Sequence, residues 1–447
     1  MDAFELTRFE LMSLARRNKV KFIELQFSDI AGMVKNLVIP ANELDASLAK
    51  GIWFDGSSIE GYARVAESDM YLMPDPATFA ILPWGVRGEA TARLICNVHT
   101  PDDQPFGGDP RAALMRVLAE GAEMGFSYSA SPEMEFFLLK AGPDGEPLMP
   151  PVPQDSAGYF DASSDAIAGL RSELLQSLSS FGIAAEAMHH EVAAGQHEVD
   201  FALGEALSAA DNTITFRIAL KAIAQRSGFY GTFMPKPFKG LSGNGMHVHQ
   251  CLKYVSTGRD AFSDPGDPHG LSMTAKQFIS GQLAHAKSMC AILAPLVNSY
   301  KRLVAGYEAP VQVSWARINR AALIRVPRSA DDSPTRVELR CPDPSCNPYL
   351  AFAVMLAAGL DGIRRGLPPV EAKEENPYLG DAPEIKGNDL LPGSLDAAIE
   401  ALEHDEIVQA ALGPYICQRF VEAKHLEWRS YYEEVSPWET AKYLLSF

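Results

Sequence analysis

Charged and imidazole side chains stand among apolar neighbours in four short runs of the chain. They supply five carboxylates and one histidine: Glu133, Glu135, Glu191, Glu198, His247 and Glu338. Burying an unpaired carboxylate costs free energy, so such groups require cations. Oxygen-rich ligation with one imidazole favours Mg²⁺ or Mn²⁺ over zinc, which prefers thiolate and histidine. The runs therefore predict a metal-dependent enzyme.

The spacing within two of these runs has alternative explanations. Glu133 and Glu135 are two residues apart, which puts both on one face of a strand. A solvated strand face is the alternative, but the apolar residues 136–139 that follow favour burial. Glu191 and Glu198 are seven residues apart, so two helical turns or a folded loop can bring them together. Surface glutamates are common, so this pair alone is weak evidence.

The other two runs also leave alternatives open. His247 and His249 follow a glycine turn at a spacing that suits metal or phosphate, although a core histidine is the commoner finding. Glu338 lies between Arg336 and Arg340, so a structural ion pair competes with metal ligation.

Arginines concentrate between residues 298 and 327, among apolar residues: Arg302, Arg317, Arg320 and Arg325. Guanidinium groups bind phosphate and carboxylate in bidentate fashion, and the interleaved apolar residues favour a cleft over a solvated basic face. The chain has neither a P-loop motif nor a GxGxxG turn. Two metal ions beside several arginines suit phosphoryl transfer.

Composition excludes several classes of partner. The chain has 447 residues, 47% of them hydrophobic, and a formal net charge of -18, with a pI of about 5.0. An acidic surface repels nucleic acid and anionic membranes, and no run of 18 apolar residues predicts a membrane span. The six cysteines are far apart and form no CxxC, which predicts reduced thiols in the cytoplasm rather than a zinc cluster. Residues 1–17 read as an amphipathic helix, not a signal peptide.

The elements that must position these residues form two parts. A hairpin over 20–40 and strands over 79–83 and 92–98 predict a small α+β domain, and Asp109-Pro110 predicts the start of a helix. Beyond it, helices are predicted over 163–181, 208–227, 272–293, 347–365 and 394–412. Strands are predicted over 132–139, 246–252, 311–316 and 335–340, and loops over 141–155 and 366–392.

Eleven motifs in order along nearly the whole chain resemble class I glutamine synthetase. They are Phe54–Gly61, Glu133 with Glu135, His189–Glu191, Gln196–Glu198, Met234–Pro237, Gly245–His247, Asn298–Leu303, Gly306–Pro310, Asn319-Arg320, Arg336–Arg340 and Asn347–Leu350. The resemblance implies an α+β fold, with an N-terminal β-grasp domain over 1–107 and a large catalytic (guanido kinase-like) α/β domain over 108–447. It also implies a homo-dodecamer of two stacked hexameric rings, with each site shared between neighbouring subunits.

The resemblance further implies a role for each matching residue. Two or more Mg²⁺ or Mn²⁺ ions per site would be held by Glu135, Glu191 and Glu198 and by Glu133, His247 and Glu338. Substrate would contact Ser58, Gly243, Arg302 and Arg340, and nucleotide would contact His249, Arg325 and Arg336. The catalytic residues would be Arg320 at the phosphate, Asp55 at the ammonium site of the adjacent subunit, and Glu308 on a flap.

The implied reaction is ATP-dependent ligation of glutamate and ammonia to glutamine through γ-glutamyl phosphate. A related ligase that uses an organic amine is the alternative, but Asp55, Ser58 and Glu308 are retained and favour ammonia. A non-enzymatic oligomer is a second alternative, which the retained metal ligands oppose.

The chain departs from the family pattern at Ser242, Cys251 and Ala305, and the usual Asn-Gly-Ser-Gly reads Ser-Gly-Asn-Gly at residues 242–245. Residues 388–392 lack the tyrosine of the adenylylated subtype, so no adenylylation is predicted. Arg64 matches an arginine linked to glutamine feedback. A nitrogen-regulatory protein is a further partner to test, although no motif points to one.

Overall fold

Two mixed β-sheets organise the chain. The computed structural model describes residues 7–57, 59, 69–84, 88–162, 165–306, 309–319, 321–328, 333–374 and 390–447. The first sheet has six strands and lies in the first hundred residues, and the second has nine strands. Helices and strands occur together with mostly antiparallel pairing, as an α+β fold requires.

The small sheet has the strand order β2-β1-β6-β4-β3, with β5 paired to β6. Its strands are β1 (Phe22–Ser28), β2 (Val34–Pro40), β3 (Ile52–Asp55), β4 (Asp69–Pro74), β5 (Ala80–Ile81) and β6 (Thr91–His99). Helices α1 (Arg8–Arg17) and α2 (Leu44–Lys50) accompany them. The predicted hairpin is confirmed, because β1 and β2 pair antiparallel across a turn in which Gly32 has a φ of 80°. Strands β3 and β4 were not predicted.

The large sheet has the order β13-β14-β15-β12-β7-β9-β8, with β10 and β11 also paired to β7. Its strands are β7 (Phe126–Lys140), β8 (Ala185–His190), β9 (Gln196–Phe201), β10 (Gly204–Glu205), β11 (Phe229–Thr232), β12 (Met246–Tyr254), β13 (Gln312–Ala316), β14 (Ala322–Arg325) and β15 (Val337–Leu339). The long strand β7 is central, with antiparallel neighbours on both sides. The four strands predicted in this part are confirmed, and β8, β9, β10, β11 and β14 were missed.

Helices pack against the large sheet and against one another. They are α3 (Pro110–Glu123), α4 (Asp165–Ser180), α5 (Ala206–Arg226), α6 (Met273–Ala284), α7 (Ala286–Leu293), α8 (Pro348–Arg364), α9 (Leu395–Glu403), α10 (Glu406–Leu412), α11 (Pro414–Glu433) and α12 (Pro437–Tyr443). The predictions over 272–293 and 394–412 each merged two helices, and α11 and α12 were not predicted. Among the described helices, none combines the length and apolarity that a bilayer crossing requires.

Helix α8 lies at the centre of the larger core. Asn347 caps it by accepting from the backbone N–H groups of Tyr349 and Leu350, and Pro348 occupies its first turn. Gly281 on α6 lies so close to α8 that a Cβ there would be 2.2 Å from the backbone oxygen of Ala358. The glycine therefore permits the close crossing of α6 and α8.

A buried arginine at the start of α3 connects the two sheets. Arg111 donates to Asp75 at 2.7 Å and to Asn97 at 2.6 Å near the small sheet, and to Asp211 on α5 at 2.9 and 3.1 Å. Tyr349 on α8 donates to the same Asp211 at 2.6 Å. This network fixes the small sheet against the helices behind the large one. The domain boundary at residues 107 and 108 stays a prediction.

Candidate active site

The register of the large sheet brings predicted site residues onto one face. Glu133 on β7 lies opposite His247 on β12 and Asp200 on β9. Residues opposite one another on antiparallel strands point to the same face, so the three side chains form a row.

A second row lies one strand period away. Glu135 on β7 lies opposite Glu198 on β9, which in turn lies opposite His189 on β8. The backbone N–H of Gly245 donates to Glu135 Oε2 at 2.9 Å. The prediction that Glu133 and Glu135 share a strand face is therefore confirmed by the pairing.

One side of this face, the paired half, matches each carboxylate with cationic or imidazole groups. It comprises Glu133, His247, His249, Glu338, Arg325 and Arg340. Glu133 contacts His249 Nε2 at 2.7 Å and His247 Nδ1 at 3.2 Å. Burial opposes the ionisation of Glu133, but hydrogen bonds to the two imidazoles outweigh it and hold the pKa of Glu133 well below its usual range.

Glu338 is the most buried carboxylate of the paired half. Arg325 donates to its Oε2 at 2.8 Å, and Arg340 makes a short hydrogen bond to its Oε1. Burial raises the pKa of Glu338, but the charge of Arg340 and the interactions with His247 and His249 together outweigh burial, so the net shift of the pKa is downward. The ion pair that competed with metal ligation in the sequence is thus present, with Arg325 and Arg340 as partners.

His247 has the chemistry of a metal ligand. Its Nδ1 faces Glu133 at 3.2 Å and Glu338 at 3.7 Å. Burial and the nearby Arg340 charge lower the pKa of His247, which keeps the imidazole neutral. A neutral imidazole has one nitrogen without a proton, and this is the form of histidine that binds a cation.

The other side, the carboxylate-rich half, comprises Glu135, Glu191, Glu198, Asp200 and His189. Burial raises the pKa of Glu135, and burial together with the charges of Glu135 and Glu133 raises the pKa of Glu198 well above its usual range. Burial and the Glu133 charge raise the pKa of Asp200. Several carboxyl groups therefore share a space with too few positive charges, as a cation site requires.

Two groups of potential ligand atoms include Glu198, one spanning the two halves and one within the carboxylate-rich half. One group is Glu133, Glu198 and His247, and the other is His189, Glu191 and Glu198; within each group the atoms lie within 4.8 Å of one another. Their donors are mainly carboxylate oxygens with an imidazole nitrogen, which fits Mg²⁺ or Mn²⁺ better than zinc.

A neighbouring group, Asp155, His190 and His197, has similar spacing but different chemistry. Arg171 lies 3.0 Å from His197 Nδ1, and a guanidinium only donates, so this nitrogen accepts and Nε2 carries the proton. Burial and the nearby His190 lower the pKa of His197 to about 3. His197 therefore offers no free nitrogen to a cation, and we assign this group a structural role.

A cavity of about 40 Å³ opens beside the carboxylates, enough for a few water molecules or ions. Its lining includes Glu135, Glu191, Gly243, Arg302 and Arg340. Arg302 is buried and donates to the backbone oxygens of Cys341 at 2.8 Å and Arg340 at 3.1 Å. A Cβ at Gly243 would lie 2.3 Å from the backbone oxygen of Pro235, so only glycine fits there.

Other predicted residues lie apart from this cavity or outside the described chain. Asp55 is exposed at the end of β3, where it accepts from the backbone N–H of Ser57 at 2.9 Å. Hydrogen bonds from the side chain and the backbone of Ser57 lower the pKa of Asp55. Arg336 is half-buried near His249. The remaining predicted residues lie outside the described residues: Ser58, Arg64, Glu308 and Arg320.

Four residues of the site escaped sequence reasoning: His189, Gln196, Asp200 and Asn244. Asp200 follows Glu198 at the same spacing as Glu135 follows Glu133, which is the signal of a shared strand face. This spacing indicates a shared face only within a strand, and β9 was not predicted, so Asp200 was not recognised.

Comparison with known proteins decides the family. Residues 19–101 match a family model described as the glutamine synthetase beta-Grasp domain, and residues 107–443 match one described as the glutamine synthetase catalytic domain. The chain belongs to the glutamine synthetase family. The predicted β-grasp domain and large catalytic domain of an α+β fold are thereby confirmed.

Similar glutamine synthetases cover almost the whole chain. Glutamine synthetase of Thermotoga maritima is 48% identical over 96% of this chain and 98% of its own. That of Halobacterium salinarum is 48% identical over 96% and 94%, and that of Thermus thermophilus is 46% identical over 99% of each. A solved structure titled "Apo GmaS without ligand" is 33% identical with a TM-score of 0.86, covering 97% of this chain and 99% of that one.

The chain is an ATP-dependent ligase of glutamate and ammonia, as the sequence predicted. Divalent metal ions and ATP are typical of the family. Relatives that are 43–48% identical over almost the whole chain carry the name glutamine synthetase, so ligation of an organic amine is not favoured.

Proposed function

We propose that glutamate, ATP and ammonia react in the cleft over the paired and carboxylate-rich halves. In this proposal one divalent cation is held by Glu135, Glu191 and Glu198, and a second by Glu133, His247 and Glu338. The observation that carries it is the buried carboxylate-rich half, where burial raises the pKa of Glu135, and burial together with neighbouring carboxylates raises the pKa of Glu198.

Bound Mg²⁺ or Mn²⁺ supplies the positive charge that neutralises phosphate oxygens during transfer of the γ-phosphoryl group. The residues of this chain then have three tasks. Arg302, Arg340, Gly243 and Ser58 seat glutamate and ammonium. His249, Arg325 and Arg336 contact the nucleotide, and Arg320 neutralises the phosphoryl group as γ-glutamyl phosphate forms.

Ammonia then replaces phosphate. Asp55 attracts ammonium and takes a proton from it, which frees the nitrogen to attack the acyl phosphate. The lowered pKa of Asp55 keeps its carboxylate ionised and suited to a cation. Glu308 closes the site and excludes the water that would hydrolyse the intermediate.

An assay of phosphate release with glutamate and ATP tests this reaction. We expect turnover with ammonium to exceed turnover with methylamine, ethanolamine or putrescine, in Mg²⁺ and in Mn²⁺. Faster turnover with an organic amine would contradict the ammonia assignment. Glu308→Ala should retain ATP binding while synthesis falls, and unchanged synthesis would remove its proposed role.

The assembly we propose is a dodecamer of two hexameric rings in the cytoplasm, with Asp55 serving the site of an adjacent subunit. Two features support an assembly. Asp55 is exposed, and the C-terminal segment exposes large apolar side chains, with Leu445 97% and Phe447 102% exposed. Light scattering of the purified protein gives the subunit number, and a monomer would contradict this proposal.

Regulation in our proposal follows the feedback-regulated subtype without adenylylation. Titration with glutamine should inhibit the wild type and leave Arg64→Ala less sensitive. A nucleotidyl mass shift on the purified protein would contradict the absence of adenylylation. A nitrogen-regulatory partner is tested by co-purification from cells grown on different nitrogen sources.

A further inference from the structure

One buried amide connects three parts of the site. Gln196 is 1% exposed, and its Nε2 donates to Glu135 Oε2 at 2.9 Å. The same nitrogen lies 3.1 Å from the backbone oxygen of Gly243 and 3.3 Å from Asn244 Oδ1. Both hydrogens of the amide are therefore used, and they point to the elements that carry Glu135 and precede His247.

The orientation of this amide is determined by the backbone. The N–H of Ala193 donates to Gln196 Oε1 at 3.3 Å, and an N–H requires an oxygen as acceptor. Nε2 must then face Glu135. Main-chain bonds from Glu191 to Gln196 at 2.8 Å and from Gln196 to Ala193 at 2.9 Å close the turn that follows Glu191. The turn that carries one proposed ligand thus supplies the donor to another.

A second amide extends the connection. Asn244 is fully buried, and its Nδ2 donates to the backbone oxygen of Met234 at 2.9 Å. This bond directs Asn244 Oδ1 toward Gln196. The family pattern has serine at this position and asparagine two residues earlier, where this chain has Ser242. The shorter serine side chain does not span the same gap.

We propose that Gln196 and Asn244 are positioning residues that fix Glu135 for cation binding. Gln196 and the N–H of Gly245 both donate to Oε2 of Glu135, and no other described residue bonds to its Oε1. Oε1 is therefore the oxygen presented to a cation. The inference rests on the proposed ligand role of Glu135.

Gln196→Met tests this role, because methionine keeps the volume and removes both donors. Titration with Mn²⁺ in the absence of substrates, followed by the paramagnetic resonance of free Mn²⁺, measures affinity directly. We expect affinity to fall by about tenfold to a hundredfold, as for other residues that orient metal ligands. The KM for Mn²⁺ should rise by the same factor, while kcat at saturating Mn²⁺ stays near that of the wild type.

Gln282→Met is the matched control. Gln282 on α6 is also fully buried, and its amide donates to Gln250 on β12 at 2.7 Å and to the backbone oxygen of Met355 on α8 at 3.0 Å. Loss of this amide should lower the melting temperature and leave Mn²⁺ affinity unchanged. Equal affinity losses in the two variants would reveal a general effect of core disruption and overturn the inference.

Asn244→Ser provides a milder variant in case Gln196→Met does not fold. It removes the bond to Met234 and leaves Gln196 bonded to Glu135 and Gly243, so the loss of affinity should be smaller and in the same direction. Unchanged Mn²⁺ affinity in this variant would remove Asn244 from the positioning role.

Glu135→Gln separates this inference from the proposed function. If the wild type binds Mn²⁺ and Glu135→Gln weakens binding, unchanged affinity in Gln196→Met overturns the positioning role alone. If Glu135→Gln leaves Mn²⁺ binding intact, the ligand assignment itself fails, whatever the Gln196 variant does.

Discussion

The two halves of the site face the same cleft and satisfy their buried carboxylates differently. In the paired half, Glu133 and Glu338 meet imidazole and guanidinium groups, and their pKa values are lowered. In the carboxylate-rich half, burial raises the pKa of Glu135, and burial together with neighbouring carboxylates raises the pKa of Glu198. The pKa of a glutamate is therefore shifted in opposite directions in the two halves, because the surrounding charges differ.

The difference shows where the protein depends on an external cation. In the paired half, cationic and imidazole side chains balance the carboxylates. In the carboxylate-rich half, the carboxyl groups can all be ionised only when a cation is bound. Substitutions that remove one charge should consequently have opposite effects on stability in the two halves when metal is absent.

The largest effect is expected from breaking the balance of the paired half. Arg340→Met leaves Glu338 buried with one fewer partner, and loss of a buried ion-pair partner costs about 3 kcal/mol. The melting temperature in the presence of a chelator measures it. Arg226→Met is the control, because its pair with Glu173 is exposed and worth little. Similar melting temperatures for the two variants would contradict the view that Arg340 balances the buried charge of Glu338.

A loss of metal affinity is expected from the carboxylate-rich half. Glu198 belongs to two groups of potential ligand atoms, and Glu198→Gln removes a negative charge from both. The affinity for Mn²⁺ and the rate of phosphate release should each fall by about a hundredfold or more. This loss exceeds the loss expected for a residue that only orients a ligand. Glu186→Gln, an exposed glutamate on the adjacent strand, serves as control. Wild-type affinity in Glu198→Gln would exclude it as a ligand.

The two halves are best distinguished by the sign of the change in stability when a carboxylate is removed. Without metal, Glu198→Gln relieves repulsion among buried carboxylates and should raise stability by about 1 kcal/mol, whereas Glu338→Gln should lower it. Added Mn²⁺ should stabilise the wild type more than Glu198→Gln. Thermal unfolding of the wild type and both variants, each with chelator and with Mn²⁺, measures these differences. A shift of the same sign in both variants would mean that the halves do not differ.

A cluster of His285 with two aspartates, outside the two halves of the site, provides the smallest expected effect. His285 contacts Asp405 at 2.7 Å and Asp361 at 3.1 Å; burial opposes its charge, but the two carboxylates outweigh burial and raise the pKa of His285 above 6.5. A raised pKa contributes stability that is complete below 6.5 and is lost as pH rises through the folded-state pKa.

His285→Gln should therefore lower the melting temperature more at about pH 6 than at about pH 9, by about 1 kcal/mol in stability. Metal should not change this difference, because the charges of this cluster are already paired. A difference that grows toward high pH would have the wrong sign for a protonated His285.

The sequence predicted those helices, strands and turns whose characteristic residues lie within a few positions of one another. The hairpin formed by β1 and β2, the capped helix α8 and the strand pair of Glu133 and Glu135 were recognisable for this reason. The break at His285 was not, since the apolar pattern continues through it and the two aspartates that hold it come from distant helices. The turn between β8 and β9 was also missed, so Glu191 and Glu198 had two possible arrangements.

The sequence by itself determined which residue types are available and, through ordered motifs, the family and its reaction. It determined the ligand candidates because their chemistry and spacing are local. Only the tertiary structure decided that Arg325 and Arg340 pair with Glu338, that Asp200 and His189 join the carboxylates, and that Gln196 holds Glu135. These outcomes depend on strand register and burial, which bring together residues far apart in the chain and set the charge balance around each.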